Sequence, residues 1–526
     1  MTLSEWFIFF LAVQVVHFLG TWKLYIKAGR KAWEAAVPVY NAVVLMKIIN
    51  RPWWWVILLF IPVINVIMLP VIWVETIRSF GKNTTTDTVL VILTLGLYIY
   101  YVNYMLDVTY IEDRDLKPRT ATGEWVSSIL FAVVAATLVH TYFMQPYTIP
   151  TGSLERTLLI GDFLFVSKFH YGARTPMTSV SFPMVHDTIP KVGVKSYLET
   201  PQYPYFRLPG FQKIKRNDIV VFSWPVDTVR FFRDKSGINV YKPIDKKSNY
   251  VKRCVGIPGD SLSIVDGKVH INKEPLQLPD RSRVQYSYNI QTESGFNPRN
   301  LYERYKLVYG QNLYPINNAG GYIASELSQE NATKLKNNPY VTSVERIISQ
   351  KGTKDASIFP NNGKVNWNVD NFGAIYIPEA GKTVAMNLES FSLYRRIIEV
   401  YEGSEMGIEN KLSVKGSQVL LNNKPINNYT FKQDYYWMMG DNRHNSEDSR
   451  MWGYVPANHV VGKPVFIWMS WDSNAKGFLN KIRWDRLFTT VGGNGKPVSY
   501  FYYFLIVLVG WIIYSRFRKK KKQANG

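Results

Sequence analysis

A serine in a glycine turn and a lysine in an apolar strand are the two residues best suited to form a catalytic pair. Ser153 follows the turn Pro-Thr-Gly, and a glycine directly before a serine lets the backbone approach a substrate closely. A serine hydroxyl is a weak nucleophile that needs a base. Lys252 lies in the apolar run YVKRCVGI (250–257), where desolvation disfavours the ammonium form. Ser153 is therefore a candidate nucleophile and Lys252 its candidate general base.

Histidine, the usual partner of a catalytic serine, offers no alternative base. The seven histidines are scattered, and none in the polar region stands near a recognisable triad partner. They also lack HExxH or similar spacing, and the single cysteine, Cys254, can form neither an intramolecular disulfide nor a metal cluster. We predict that the protein uses no metal and no cofactor.

Neither residue identifies a site by itself. A Gly-Ser dipeptide is common, and a lone lysine in a strand is usually solvated. Alternation along the strand places Lys252 and Cys254 on one face and Val251 and Arg253 on the other. A third polar segment, GDNRHNSEDSR (440–450), fits either a functional loop or a turn held by Asp–Arg pairs.

The elements that carry these residues are predicted to be β-strands. Turn dipeptides such as Pro258-Gly259 and Asp266-Gly267 separate five short β-rich runs in the region 146–497. The runs are 162–169, 218–224, 250–257, 262–272 and 463–471. The pattern favours a mainly-β domain, a barrel or a sandwich, on the end of a helical membrane region.

The segments 262–276 and 412–426 resemble each other, since both read as strand, turn, strand and then Asn-x-x-Pro. Two ordinary hairpins and a true duplication both explain this likeness. The polar, Asn-rich and Tyr-rich stretch between them is too long for a plain loop, so we interpret 277–411 as an inserted subdomain.

Apolar residues concentrate at the two ends of the chain and predict a multi-span membrane protein. A spanning helix needs about 20 mainly apolar residues. The candidate stretches are 6–26, 53–74, 88–106, 125–145 and the shorter 498–514. We expect no cleavable signal peptide at the start, because Glu5 precedes the apolar run without any Lys or Arg and no A-x-A site follows.

The formal net charge of +22 fits the cytoplasmic flanks of such spans better than nucleic-acid binding. No zinc-finger, RRM or helix-turn-helix pattern accompanies the charge. Basic residues cluster at 27–51, at 114–119 (Arg119 included) and in the tail after 514, where Arg516, Arg518 and the lysines 519–522 lie. By the positive-inside rule these regions are cytoplasmic, which puts 146–497 outside the cytoplasm.

Four segments together resemble the boxes of bacterial type I signal peptidase, the serine/lysine-dyad leader peptidases of family S26. The family boxes (S/T)GSMxPTL, RGDIVVF, KRxxGxPGD and GDNRxNSxDSRxWGxVP read here TGSLERTL (151–158), RNDIVVF (216–222), KRCVGIPGD (252–260) and GDNRHNSEDSRMWGYVP (440–456). They occur in the same order and cover about 147–260 and 430–488. The additional segments resemble the enlarged Bacteroidetes members, and the first 110 residues resemble a small membrane module of unknown role.

The resemblance implies a role for each matching residue. Ser153 is expected to be the nucleophile and Lys252 the base, with the Ser153 N–H and the Thr151 hydroxyl forming the oxyanion hole. Ser446 is expected to orient the lysine, and Arg253–Asp441 and Asp448–Arg450 to be structural ion pairs. Shallow pockets for small residues at positions −1 and −3 are expected to be lined by Ile149, Pro150, Leu154, Leu158, Tyr250 and Val251.

The sequence departs from the family pattern at three positions that bear on substrate preference. Leu154 stands where Met is usual, Arg156 replaces a proline, and His444 replaces an aspartate. None of these changes removes a group that carries chemistry. The expected domains are a membrane module (1–110), an anchor (124–145), a catalytic β domain (146–276 and 412–497), the insert (277–411), a C-terminal span (498–514) and a basic cytoplasmic tail (515–526).

The resemblance implies a multi-pass enzyme of the bacterial inner membrane that cleaves signal peptides from exported preproteins through an acyl-enzyme. Signal peptides and the lipid bilayer are the expected partners, with the export translocon as a further candidate and no nucleic acid. The alternative is a catalytically silent binding or scaffold protein on the same fold. A β-lactamase-like S-x-x-K site is excluded, because Arg156 stands at the lysine position and no KTG follows.

Overall fold

The computed structural model describes the chain except for residues 119, 232, 233, 235, 295, 299, 300, 317–319, 363, 525 and 526. The side chains of 302, 303, 519 and 521–524 are also outside the description. Some members of the basic clusters predicted to be cytoplasmic therefore lie outside the described residues. They are Arg119 and the side chains of Lys519, Lys521 and Lys522.

Contacts within the chain divide it into two compact units. The first unit comprises Met1–Phe143, Arg174–Leu208 and Asp227–Ser248. The second unit comprises Met144–Ala173, Pro209–Val226 and Asn249–Gly526. Two segments that the sequence assigns to the β domain, 174–208 and 227–248, thus belong to the first unit.

Thirteen α-helices lie in the described residues, seven in the first unit and six in the second. The first seven are α1 Leu3–Lys27, α2 Tyr40–Ile48, α3 Trp55–Leu58, α4 Ile64–Ser79, α5 Thr85–Leu93, α6 Tyr98–Tyr104 and α7 Ala121–Leu138. The others are α8 Tyr302–Tyr305, α9 Gln329–Lys336, α10 Leu388–Arg396, α11 Ser449–Trp452, α12 Phe478–Lys481 and α13 Phe501–Ala524.

Three of the five predicted spans form helices that are long and apolar enough to cross a membrane. Within the described residues these are Leu3–Lys27, Ala121–Phe143 and Phe501–Arg518. The protein is therefore membrane-anchored. A fourth span exists only if α5 and α6, which meet at a bend of 118°, are counted as one.

The stretches 53–74 and 88–106 do not form single straight spans, for local reasons. The first is interrupted between α3 and α4, where Pro62 precedes Val63 in a left-handed conformation (φ 70°). The second reverses at Leu95 and Gly96, both with positive φ, and the Thr94 hydroxyl accepts the Tyr98 N–H across this turn at 3.0 Å. Apolar composition alone did not reveal these breaks.

The second unit is built mainly from strands, as the sequence predicts. The first eleven are β1 Met144–Thr148, β2 Asp162–Ser167, β3 Ile219–Ser223, β4 Asn249–Gly256, β5 Ser261–Val265, β6 Lys268–Ile271, β7 Glu274–Pro275, β8 Gln285–Thr292, β9 Leu313–Pro315, β10 Gly321–Ser328 and β11 Val341–Arg346. The next ten are β12 Phe372–Tyr376, β13 Thr383–Ala385, β14 Leu412–Lys415, β15 Gln418–Leu421, β16 Lys424–Ile426, β17 Asn428–Thr430, β18 Tyr435–Met439, β19 Val455–Pro456, β20 Val460–Ser470 and β21 Thr489–Thr490.

The main sheet is antiparallel and curls into a half-barrel, which confirms the predicted mainly-β fold. Its strand order is β1-β2-β20-β3-β4-β18-β19, and β21 pairs with β20. Strand β3 is buried along its whole length because both faces are covered. Ile219 and Val221 pack in one hydrophobic cluster, and Val220 and Phe222 pack in another. A continuous apolar run in the sequence corresponds to this two-sided burial.

The strands of the predicted insert belong to more than one sheet. Its first part forms a separate sheet in the order β11-β8-β10-β9, with α9 packed against it. Its later part, from β12 onward, joins the core of the preceding hairpin, because β12 pairs with β5 through Phe372↔Ile264.

The two similar segments form hairpins with the same register and turn. Leu262 pairs with Ile271 in one, and Leu412 pairs with Leu421 in the other. Asn272 and Asn422 occupy equivalent left-handed positions, and the side-chain oxygen of each accepts a backbone N–H from the start of its hairpin at 2.9 and 2.8 Å. The likeness in sequence therefore extends to local geometry.

Candidate active site

Ser153 lies in a short 3₁₀ turn, Gly152–Leu154, whose backbone carbonyls accept hydrogen bonds from the 440–450 loop. The Asn442 backbone N–H donates to the Ser153 carbonyl at 3.1 Å, and the Asn442 side-chain amide donates to the Gly152 carbonyl at 3.1 Å. At Gly440 an added Cβ would lie 2.5 Å from the Ser153 carbonyl oxygen. This position therefore requires glycine, and the close contact fixes the serine turn against the loop.

Lys252 is buried in the middle of the sheet, on β4 between β3 and β18, and is 4% exposed. Burial lowers the pKa of its ammonium group to about 8, although the carboxylates of Asp448 and Glu447 favour the charged form. The Ser153 turn packs against the same strand. A buried amine that is partly neutral near physiological pH therefore stands on the strand beside the serine turn.

Side chains alternate along β4 as the sequence predicts. Tyr250 and Cys254 pack in one cluster, whereas Val251 packs in the other. The Lys252 ammonium lies 5.8 Å from the centre of the Tyr250 ring. Trp224 stacks on that ring at 5.0 Å and Trp452 meets it edge-on at 5.6 Å. An aromatic cluster thus borders the lysine.

The Ser446 hydroxyl is buried, and among the described residues it has no hydrogen-bond partner. It lies 2.2 Å from the position that a Cβ on Gly440 would occupy. The expected hydrogen bond between Ser446 and Lys252 is therefore not formed in this conformation. An unsatisfied buried hydroxyl is unfavourable by about 1–3 kcal/mol and leaves this group available to a partner.

The first expected ion pair is present and links three parts of the site. The Arg253 guanidinium donates to both carboxylate oxygens of Asp441 at 2.7 and 2.6 Å, and Thr157 donates to the same carboxylate at 2.6 Å. Burial alone would raise the pKa of Asp441, but Arg253 and then the Thr157 hydroxyl hold it below its usual value. The lysine strand, the serine segment and the 440–450 loop meet at this one carboxylate.

The second expected ion pair stabilises the 440–450 loop internally. Arg450 donates to both oxygens of Asp448 at 2.9 Å, and Asp448 also accepts the Gly440 N–H at 3.0 Å. Arg450 donates in addition to the Arg443 carbonyl at 2.6 Å. The loop that supports the serine turn is therefore fixed by charged hydrogen bonds.

The residues expected to line the substrate pockets are only partly brought together. Ile149, Leu154 and Leu158 are buried in one cluster, against which Val251 packs. Tyr250 points to the opposite face of β4, and Pro150 is exposed, as is the expected oxyanion-hole residue Thr151.

Gln285, at the start of β8, is a structural part of the site that the sequence did not indicate. Its backbone N–H donates to the Asp441 carbonyl and its carbonyl accepts the Arg443 N–H, both at 2.9 Å. Its side-chain amide donates to the Glu155 carbonyl at 2.7 Å. Gln285 thus joins the segment after Ser153 to the 440–450 loop, although it lies outside every motif.

Replacing Gln285 by alanine is expected to lower kcat about 5- to 10-fold with little change in KM, because it removes roughly one hydrogen bond that positions the serine turn. The midpoint of the pH profile should not move, since Lys252 is untouched. Steady-state cleavage kinetics measure both quantities. Gln418→Ala, at an exposed position of β15, is the matched control, and equal activity of the two variants would contradict a positioning role.

Glu155, two residues after Ser153, is a second titratable group near the nucleophile. Burial raises the pKa of its carboxyl to about 7, and the Glu326 carboxylate adds to this effect. Among the described residues its Oε2 atom is buried without a hydrogen-bond partner. A pH profile of the site must therefore separate Glu155 from Lys252.

Comparisons with known proteins match two parts of the chain. A family model described as signal peptidase, peptidase S26, matches residues 122–320 and 374–471, more than half of the chain. It omits the part between, which contains β10, α9 and β11. A family of unknown function, DUF5684, matches residues 33–113.

Curated relatives share the same description at modest identity. Signal peptidase I of Buchnera aphidicola subsp. Acyrthosiphon pisum is 22% identical over 398 residues, 74% of this chain and 90% of the relative. Signal peptidase I of Haemophilus influenzae is 23% identical over 72% of this chain and 79% of its own length. The Helicobacter pylori protein of that name is 25% identical over 72% and 94%.

Proposed function

The chain belongs to the signal peptidase family, peptidase S26, and on this premise we propose that Ser153 and Lys252 form its catalytic dyad. The protein is a membrane serine endopeptidase that cleaves signal peptides from preproteins. The observation that carries the dyad proposal is the buried Lys252, with a pKa lowered to about 8, on the strand against which the Ser153 turn packs.

In the proposed reaction neutral Lys252 accepts the proton of the Ser153 hydroxyl as its oxygen attacks the scissile carbonyl. The Ser153 N–H and the Thr151 hydroxyl stabilise the oxyanion, and loss of one such donor typically costs about 10²–10³ in rate. The Lys252 ammonium then protonates the leaving amine, and water hydrolyses the acyl-enzyme. Ser446, whose buried hydroxyl has no other partner among the described residues, orients the lysine.

The substrate is proposed to bind as an extended strand beside the active-site strands. Strand β1 is at the edge of the main sheet and leads directly into the Ser153 turn, which supports this mode. Small residues at −1 and −3 would contact the pockets near Ile149, Leu154 and Val251. The side chains available there are apolar, as such residues require.

The finer topology is also a proposal: a multi-pass protein of the bacterial inner membrane, with the catalytic unit outside the cytoplasm and the C-terminus inside. The basic residues Arg516 and Arg518 after the last apolar segment support it. A preprotein leaving the export translocon would meet the site on that side.

A catalytically silent binding protein is disfavoured by the state of Lys252. A buried amine with a lowered pKa destabilises the folded protein. Such groups are concentrated at functional sites, where the lowered pKa serves the chemistry although it reduces stability. A scaffold would lose nothing by carrying an apolar residue at this position.

We expect the cleavage rate to rise with pH, with a midpoint near 8, because only neutral Lys252 can accept a proton and its pKa is lowered to about 8. The measurement is kcat/KM on a preprotein between about pH 6 and 10. Glu155→Gln is the control, since the Glu155 carboxyl titrates near 7. A midpoint that disappears in this variant, or a flat profile, would contradict Lys252 as the base.

A further inference from the structure

Residues 177–203 form a two-armed hairpin within the first unit, named here the 177–203 hairpin. Its arms are joined by the pairs Thr178↔Gln202, Ser181↔Tyr197 and Thr188↔Lys195. Backbone hydrogen bonds run between the arms, for example from Leu198 N–H to the Val180 carbonyl at 3.0 Å. The hairpin is therefore an ordered element.

On this hairpin small polar side chains face the protein and large apolar side chains face outward, which is the reverse of the arrangement at a water-facing surface. The inner face is mostly small and polar: Thr178, Ser179, Ser181 and Ser196 are at most 5% exposed, and the larger side chains of Met177 and Tyr197 are buried with them at 6%. Large apolar side chains point outward and are 39% to 67% exposed, namely Val180, Phe182, Met184, Val192, Val194 and Leu198. A hairpin with one face on a protein core and the other in water buries its apolar side chains and exposes its polar ones.

The polar inner face is explained by its partners in the first unit. The Asp245 carboxylate accepts the Thr178 hydroxyl at 2.9 Å and the Met177 and Thr178 N–H groups at 3.0 Å. The Lys246 ammonium donates to the Ser181 hydroxyl at 2.5 Å. Because these bonds fix the polar side inward, the apolar side must face outward.

The base of the hairpin is attached to the first turns of α1, a candidate membrane span. The Trp6 indole donates to the Gln202 carbonyl at 2.9 Å, and its ring stacks on Tyr203 at 4.3 Å. Tryptophan and tyrosine are enriched where spans leave the hydrocarbon core. The hairpin therefore starts at the depth at which an apolar surface meets lipid.

We propose that the 177–203 hairpin lies in the interfacial layer of the bilayer, with its outward apolar side chains covered by lipid. Lys191, exposed near its tip, contacts lipid phosphates. The contact anchors the first unit on the side of the membrane at which α1 begins. The proposal depends on α1 crossing the membrane and does not depend on the chemistry of Ser153.

The test places an environment-sensitive NBD label on Phe182→Cys or Val192→Cys in the full chain, reconstituted in nanodiscs. The introduced thiol is labelled selectively, because the single native cysteine, Cys254, is buried. Both positions are exposed, so the substitutions should leave the fold intact. Ser417→Cys, in the exposed turn between β14 and β15, is the control.

With brominated lipids the hairpin labels should lose about half or more of their emission, since interfacial segments reach roughly 5–10 Å into the headgroup and acyl boundary. The label at 417 should be unaffected. Quenching no stronger than at 417 would overturn the proposal. A blue-shifted emission without quenching would also overturn it, because protein, such as a second copy of the chain, would then cover the hairpin.

Discussion

Replacing Lys252 by methionine is expected to lower kcat/KM by about 10²–10⁴-fold, because the serine then has no base. Methionine fills a similar volume without a charge, so the fold should persist. Lys252→Arg should be equally inactive, since a guanidinium stays protonated. Cleavage assays on purified, detergent-solubilised protein measure both variants, and activity above about a tenth of wild type in either would contradict the assignment.

The same substitution should make the protein more stable at neutral pH. The pKa of Lys252 is lowered in the folded state, so between about 8 and its unfolded value the unfolded chain binds more protons and wild-type stability rises with pH. The methionine variant has no such dependence. Its gain in Tm should be largest below pH 8 and fade towards pH 10, and a loss of Tm at pH 7 would contradict the account.

Replacing Asp441 by asparagine is expected to destabilise the second unit by about 3–5 kcal/mol and to reduce kcat, because it leaves the buried Arg253 guanidinium without its counter-charge. Asp441 is also bonded to Thr157. Its loss therefore loosens the serine segment and the lysine strand together. Thermal unfolding in detergent and steady-state kinetics measure the two effects.

An exposed ion pair provides the control for Asp441. Glu330 and Lys334 form an i,i+4 pair on α9 with side chains 64% and 56% exposed, and Glu330→Gln should leave Tm and kcat unchanged. The double variant Asp441→Leu with Arg253→Met should lose less stability than Asp441→Asn, because no unpaired charge remains buried. A single variant as stable as wild type would contradict the structural role of the pair.

The sequence predicted the parts of the site that depend on local pattern. The alternation along β4 follows from the two-residue period of a strand, and the all-apolar run of β3 follows from burial on both faces. The two ion pairs were implied by the family resemblance, and the structure has both. The equivalent turns at Asn272 and Asn422 were visible in the sequence as Asn-x-x-Pro.

The parts that the sequence missed depend on long-range contacts or on single backbone conformations. Gln285 contacts the 440–450 loop through its backbone and the segment after Ser153 through its side-chain amide, and both contacts are long-range ones that no motif indicates. The reversal between α5 and α6 depends on positive φ at Leu95 and Gly96 within an apolar stretch that reads as continuous. In the 177–203 hairpin only the short run SVSF (179–182) alternates serine with a large apolar residue, and such a pattern does not show which face is outward.

The most direct test of the account is cleavage of a secretory preprotein with an A-x-A site by wild-type protein and by Ser153→Ala, with the cut position read by mass spectrometry. The account predicts a cut directly after the −1 residue by the wild type, and none by Ser153→Ala at an unchanged Tm. A cut that persists in Ser153→Ala at the wild-type rate would contradict Ser153 as the nucleophile.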